Sequence, residues 1–161
     1  MSQQCPPYDV SYMQRTRDFY RAQGYENAYR WAIQESSVFA ELQKPLDQSR
    51  LAVITTAMPD TPQGRSHREV YALPCSPPPE SMFTAELSWD KLSTHTEDLG
   101  SFLPLAALSD CAKRGELGSL SESFLTLPTE YSQRNTLERD APAILEKLRS
   151  EAVDIALLVP L

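Results

Sequence analysis

Residues 51–57 read LAVITTA and residues 153–161 read VDIALLVPL. Both runs are dominated by apolar residues and rich in branched side chains. Such runs predict strands buried on both faces, as strands of a parallel sheet are. Helices are predicted in the interval between them, and strands alternating with helices specify an α/β fold. The expected architecture is a partial Rossmann-like, doubly wound domain with a mostly parallel sheet and an N-terminal helical extension. The expected division is 1–44 for the extension and 45–161 for an incomplete α/β domain, ending at the strand that should precede the catalytic loop.

Working outward from these strands, a final helix is predicted to begin at Asn135, with Glu138 three residues on as a capping-box partner. Leu137, Ala141, Ile144, Leu145, Leu148 and Ala152 recur at helical spacing and form its predicted buried face. Pro142 is placed near the start of that helix, where a missing backbone donor is tolerated. Phe102–Arg114 holds another helix, with Pro104 in its first turn and Leu105, Leu108 and Ala112 inward. Ser119–Leu127 reads as a strand. After LAVITTA the chain reads as irregular up to about Glu80, with one short strand at Glu69–Leu73 and a stiff run at Pro77–Pro79. Upstream, Tyr8–Gly24 reads as an amphipathic helix with Tyr12, Thr16, Phe19 and Tyr20 on one face and Gly24 as its stop. A second helical stretch is predicted over Glu26–Ile33, carrying Tyr29, Trp31 and Ile33. These aromatics are expected to pack the extension against the main domain.

Composition narrows the function. The chain has 161 residues with 15 Lys and Arg against 22 Asp and Glu, a net charge of −7. That sign argues against a nucleic-acid backbone or an anionic membrane as partner, since both reward clustered cations. With 13 prolines and 5 glycines, a Gly-rich phosphate cradle is not expected. No apolar run has the length of a membrane span, and Met1–Pro7 lacks a signal pattern. Cys5, Cys75 and Cys111 are odd in number and form no CxxC, which fits a reduced, cytoplasmic protein.

The candidate site residues are few. Ligands of open α/β sheets sit at the carboxyl ends of the strands. Thr55 and Thr56 end the first strand and are candidates to line that crevice; their alternative role is to hydrogen-bond strand-end backbone. His95, near Glu97 and Asp98, is a candidate base or substrate contact. His67 is expected on the surface, Cys111 partly buried and inert, and Cys75 in a loop with no adjacent cation to activate it. Cys5 falls in a frayed terminus. Asp154 is expected to be a helix–strand junction residue. No Ser/His/Asp signature, Walker loop or GxGxxG is present, and no metal site is expected.

The segment LPLAALSDCAKRGELGSLSESFLTLPTEY, followed by a helix and VDIALLVPL, resembles selenoprotein B of the glycine, sarcosine and betaine reductases and the related D-proline reductase. Leu103–Leu108, Arg114–Ser119 and Val153–Leu161 stand where that family has its Pro-Leu helix, its acidic-Gly connection and its Val-Asp strand. YMQRTRDFYRAQGYENAYRW and KPLDQSRLAVITTA resemble the family's entry region, and His95 with Asp98 its histidine-to-aspartate stretch. The chain departs from the pattern at Ala57–Pro59, where glycines are common, and at Ser121–Tyr131, which lacks an aromatic-rich stretch.

The resemblance implies reductive C–N cleavage of a small amine or amino-acid substrate. A pyruvoyl group on a partner subunit would activate the amine, a selenolate would attack the α-carbon, and a selenol or thiol carrier protein would take part. A selenol ionises near neutral pH and its anion is the nucleophile. In the family selenocysteine or cysteine follows the last strand, then Pro-Val-Cys-His. Because UGA encodes selenocysteine, a reading without recoding would end at Leu161. The expectation is therefore a fragment with no catalytic residue and no cofactor of its own, exposing the face of its last strand and prone to homo-oligomerise. The alternative is a small non-catalytic α/β binding or interaction module.

Overall fold

The computed structural model describes residues 12–27, 36, 40–87, 91–129 and 132–161. The chain divides into two units, Met1–Val38 and Phe39–Leu161. The first contains α1 (Tyr12–Ala22). The second contains β1 (Arg50–Thr55), β2 (Met58–Pro59), α2 (Pro62–Ser66), β3 (Tyr71–Pro74), β4 (Met82–Phe83), α3 (Leu105–Lys113), β5 (Ser119–Leu120), β6 (Ser123–Thr126), α4 (Gln133–Asn135), α5 (Ala141–Ser150) and β7 (Ile155–Val159). The stretch Glu26–Ile33, predicted to be helical, falls largely outside the described residues.

The LAVITTA strand forms the middle of the main sheet because every side chain from Leu51 to Thr55 is apolar or can satisfy itself locally, and all five are buried. β1 pairs in parallel with β5 and β6 along one side and with β7 along the other, while β3 runs antiparallel on β6. The result is a mostly parallel five-stranded sheet in a mixed α/β fold, compatible with a partial Rossmann-like domain. β2 and β4 form a separate antiparallel ribbon.

Side chains alternate across a strand. Leu51 and Val53 therefore share one face, where they pack with Phe124, Phe102, Leu103 and Leu105 in the core, and Ile155, Leu157 and Val159 pack against it. Phe124 is fully buried, and removing such a ring from water contributes about 2 kcal/mol. Ala52, Ile54 and Leu125, on the alternate positions, are buried outside that cluster.

Three sequence expectations need correction. Ser119–Leu127 is not one strand: β5 and β6 are parted at Ser121–Glu122, where the Ser121 amide bonds Leu51 O and its hydroxyl bonds Ser123 O at 2.6 Å. The last strand is not buried on both faces. β7 pairs with β1 alone among the described residues, and its side chains alternate between half-buried and exposed, with Leu158 68% exposed. The last helix begins at Gln133, not Asn135. Ser132 is its N-cap, accepting from the Asn135 amide at 3.3 Å, and Asn135 itself is helical, so it makes no capping box.

Pro142 accordingly lies well inside a continuous helix rather than at its start. A proline there lacks a donor, and its ring collides with the carbonyl one turn back. The backbone meets this with a π turn over Thr136–Asp140 between α4 and α5. The wide turn carries Asp140 inward to 4% exposure, while Leu137 and Leu145 of the predicted buried face remain 71% and 45% exposed.

α1, α3 and α5 end alike. In α3 the Gly115 amide bonds Ala112 O and the Glu116 amide bonds Cys111 O, with Gly115 left-handed at φ 75. In α1 the same pair of bonds surrounds Gly24, and Tyr20 meets Tyr25 edge-on at 5.6 Å across the cap. In α5 the residue at the left-handed position is Ala152. These are Schellman caps, which satisfy the last carbonyls of each helix.

Candidate active site at the carboxyl edge of the sheet

β1 ends at Thr55, level with Thr126 of β6 and Val159 of β7. The two threonines flagged by sequence come together at this edge, but both serve backbone. Thr55 is 1% exposed, and its Oγ1 lies 3.5 Å from the Ala57 amide. The neighbouring Thr126 hydroxyl donates to the Ala57 carbonyl. The Thr56 hydroxyl accepts from the Leu161 amide at 2.9 Å and lies 3.3 Å from the Leu161 carbonyl. These bonds fix the chain after β1 and β7, which is the alternative role open to them from sequence. His95 is exposed, in a segment tied down by the Thr84–Thr96 hydroxyl pair at 2.7 Å and by Asp98, which accepts from the Gly100 amide at 3.0 Å. No hydrogen bond joins His95 to Thr55 or Thr56.

Beyond the edge the chain turns through β2 into α2. Thr61 caps α2 by accepting from the Gly64 amide at 3.0 Å, and Pro62 occupies its first turn. The segment presumed irregular from sequence thus contains a short helix, fitted so tightly that a Cβ on Gly64 would lie 2.3 Å from the Pro59 carbonyl oxygen. This seat brings Arg65, His67 and Arg68 around a cavity of about 280 Å³. Met58, Phe83 and Leu87 supply its apolar wall, and Glu86, Pro128 and Thr129 complete it.

The two arginines are anchored. Arg65 Nε bonds Asp60 Oδ1 at 2.8 Å, Nη2 bonds the same oxygen, and its guanidinium carbon lies 4.9 Å from the Phe83 ring centroid, a cation–π arrangement. The Asp60 carboxyl is held below its usual range chiefly by that Arg65 bond, then by Ser81. Arg68 donates to the Pro128 carbonyl at 2.8 Å and to Asp140 Oδ2 at 3.1 Å. Asp140 also accepts from Arg139 Nε at 3.0 Å. His67 Nδ1 lies 2.9 Å from the Ser66 hydroxyl. Although expected merely on the surface, His67 lines this cavity.

A second cavity of about 590 Å³ lies between α3 and the β5–β6 break, lined by Cys75, Leu105, Ser109, Asp110, Lys113 and Ser121 among others. Cys75 is half-buried, and burial pushes its thiol up to about 11. It is a thiol, not a thiolate, at neutral pH and carries no nucleophilic role there. Asp154 stands at the opposite end of the sheet from the carboxyl edge. It accepts from the Arg50 amide and from Lys44 Nζ, each at 2.8 Å, and the Lys44 bond holds its carboxyl below the usual range. That is the junction role expected of it.

Sequence reasoning passed over Arg65, Arg68 and Asp140. The available signal was the run Arg-Ser-His-Arg at 65–68, placed just past a central strand, where α/β ligands bind. Among the described residues no cluster of His, Cys, Asp and Glu could hold a metal ion, and no helix is long and apolar enough to cross a membrane. No family model, curated protein or solved structure matches this chain.

Proposed function

We propose that this chain is the substrate-binding part of a selenocysteine-dependent amino-acid reductase, acting on glycine, sarcosine, betaine or D-proline type substrates. The observation that carries the reading is the clasp between Thr56 and Leu161: β7 runs parallel to β1 and brings Leu161 to the carboxyl edge, where its amide bonds the Thr56 hydroxyl at 2.9 Å. A nucleophile following Leu161 would emerge at the edge where α/β sheets hold their ligands. The arginine-lined cavity at that edge suits a substrate carboxylate. In this proposal the chain holds and orients the substrate, the pyruvoyl group that activates the amine belongs to a partner subunit, and a selenol or thiol carrier protein completes the system. A reducing, cytoplasmic setting agrees with Cys75 and Cys111, both free thiols.

The test is the coding sequence past the Leu161 codon. An in-frame UGA, or a cysteine codon, followed by codons for Pro, Val, Cys and His supports the reductase. A frame that closes there, or continues without such a residue, overturns it. A second reading, a non-catalytic α/β interaction module, is favoured by the exposed leucines of the last helix and strand, Leu137, Leu145 and Leu158.

A further inference from the structure

We propose that β7 pairs antiparallel with β7 of a second copy of this chain, about a two-fold axis through Leu157, so that the two sheets join into one. β7 is an edge: among the described residues it pairs with β1 alone. Proteins guard such edges with lysine, proline, a bulge or a very short strand. Ile155–Val159 carries no charge and no proline. Its register against β1 runs unbroken from Leu51 opposite Ile155 to Thr55 opposite Val159. The outer backbone of β7 is therefore a template for another strand, and Leu158 on it stands 68% exposed.

The occupant follows from the residues of the strand. Paired in opposite directions about Leu157, Ile-Ala-Leu-Leu-Val sets Ile155 against the partner's Val159 and Ala156 against the partner's Leu158. Ala156 and Leu158 share the exposed face of the strand, and Ile155, Leu157 and Val159 the half-buried one. On the exposed face each copy sets its large Leu158 beside the partner's small Ala156, and the two-fold makes this match twice. On the other face Leu157 meets the partner's Leu157, which extends the core cluster that Ile155, Leu157 and Val159 already pack against. A foreign strand would have to supply this match, whereas a second copy carries it.

The same register closes both ends of the join. Asp154 falls opposite the partner's Pro160, which has no amide to donate. The Asp154 carboxylate is already held by Lys44 Nζ and the Arg50 amide, each at 2.8 Å, so no unpaired charge enters. The new ladder is limited to the 5 residues of β7 on each side, about 17 Å of strand. A strip of that length with its flanking side chains falls at the low end of specific interfaces, under about 1,200 Å². The dimer is therefore reversible and forms as concentration rises.

The experiment reads the register. Ala156→Cys and Leu158→Cys chains are mixed and oxidised, and inter-chain disulfides are located by peptide mass spectrometry. Opposed residues of an antiparallel pair stand about 4.5–5.5 Å apart at Cα, within reach of a disulfide. In either variant alone the two introduced cysteines are two residues out of register, too far apart to bridge. The mixture is therefore expected to give the link between positions 156 and 158 at least about tenfold over like-to-like links in each variant alone. In sedimentation velocity the wild-type chain is expected to show a monomer–dimer equilibrium, which Ala156→Lys weakens at least about tenfold by setting a charge beside the partner's Leu158. Should Ala156→Lys fail to fold, the cysteine pairing decides. A wild-type chain that stays monomeric at every concentration overturns the proposal. So does association without the link between 156 and 158, which places the contact on another surface, and so does undiminished association of folded Ala156→Lys. The reductase reading is tested on the coding sequence and this one on association, so either can fail alone.

Discussion

Ala152 holds a left-handed backbone, φ 52, where Gly115 and Gly24 hold φ 75 and 87 in the same cap. A side chain in that conformation meets the following carbonyl, at a cost of about 1 kcal/mol or more. Ala152→Gly should therefore stabilise the chain by about 1 kcal/mol, and Gly115→Ala should destabilise it by about as much, read from the midpoint of urea unfolding. Gly24 and Gly115 are legible as helix stops in the sequence; Ala152 is not, because the usual signal for that conformation is glycine itself. A second residue-scale expectation concerns Cys75. With its thiol raised to about 11 by burial, little thiolate exists at neutral pH. Alkylation of Cys75 by iodoacetamide, followed by peptide mass spectrometry, should be slow at neutral pH and accelerate as pH climbs toward that value. Rapid neutral labelling would show an activated thiol instead.

At the scale of elements, the π turn at Thr136–Asp140 and Pro142 form one device. Pro142→Ala restores the missing donor and lets the turn tighten to ordinary α-helix, which rotates Asp140 away from Arg68. The expected result is unchanged or higher helicity by circular dichroism, and Asp140→Asn should then cost less stability in the Pro142→Ala background than in the wild-type chain, read from urea midpoints. The helix was readable from the spacing of Ile144, Leu145 and Leu148. The widened turn was not, because the apolar spacing runs on unbroken through Leu137 and Ala141, both of which the π turn leaves exposed. The strands show the same division. LAVITTA has neighbours on both sides, so an apolar run was a sound guide to its burial. VDIALLVPL is also dominated by apolar residues but has only one neighbour among the described strands, and composition does not encode which strand lies at an edge. Ser121, Glu122 and Ser123, three successive polar residues between Leu120 and Phe124, were a visible sign of the β5–β6 break.

At the scale of the molecule, the fold class followed from two short segments, whereas the candidate site did not. Thr55 and Thr56 marked the right edge but serve backbone, and Arg68 meets Asp140 only through a fold that closes 72 positions of chain. Such a pairing has no local signature. The exposed leucines also belong to this scale: Leu137, Leu145 and Leu158 lie 71%, 45% and 68% exposed. Apolar surface of this kind promotes association. Wild-type chain is expected to self-associate with rising concentration in sedimentation velocity, and Leu158→Lys to shift it toward monomer while changing unfolding free energy by no more than about 0.5 kcal/mol. Identical sedimentation of the two would show that this strand face plays no part.

The seat of Gly64 against Pro59 has a consequence for stability. With backbone already touching backbone, that flank of the hollow has no slack to yield, and only the long side chains opposite can adjust. A methyl group added at position 64 could be housed only by prising the short helix off the ribbon, so Gly64→Ala should lower the urea midpoint and loosen this corner of the molecule.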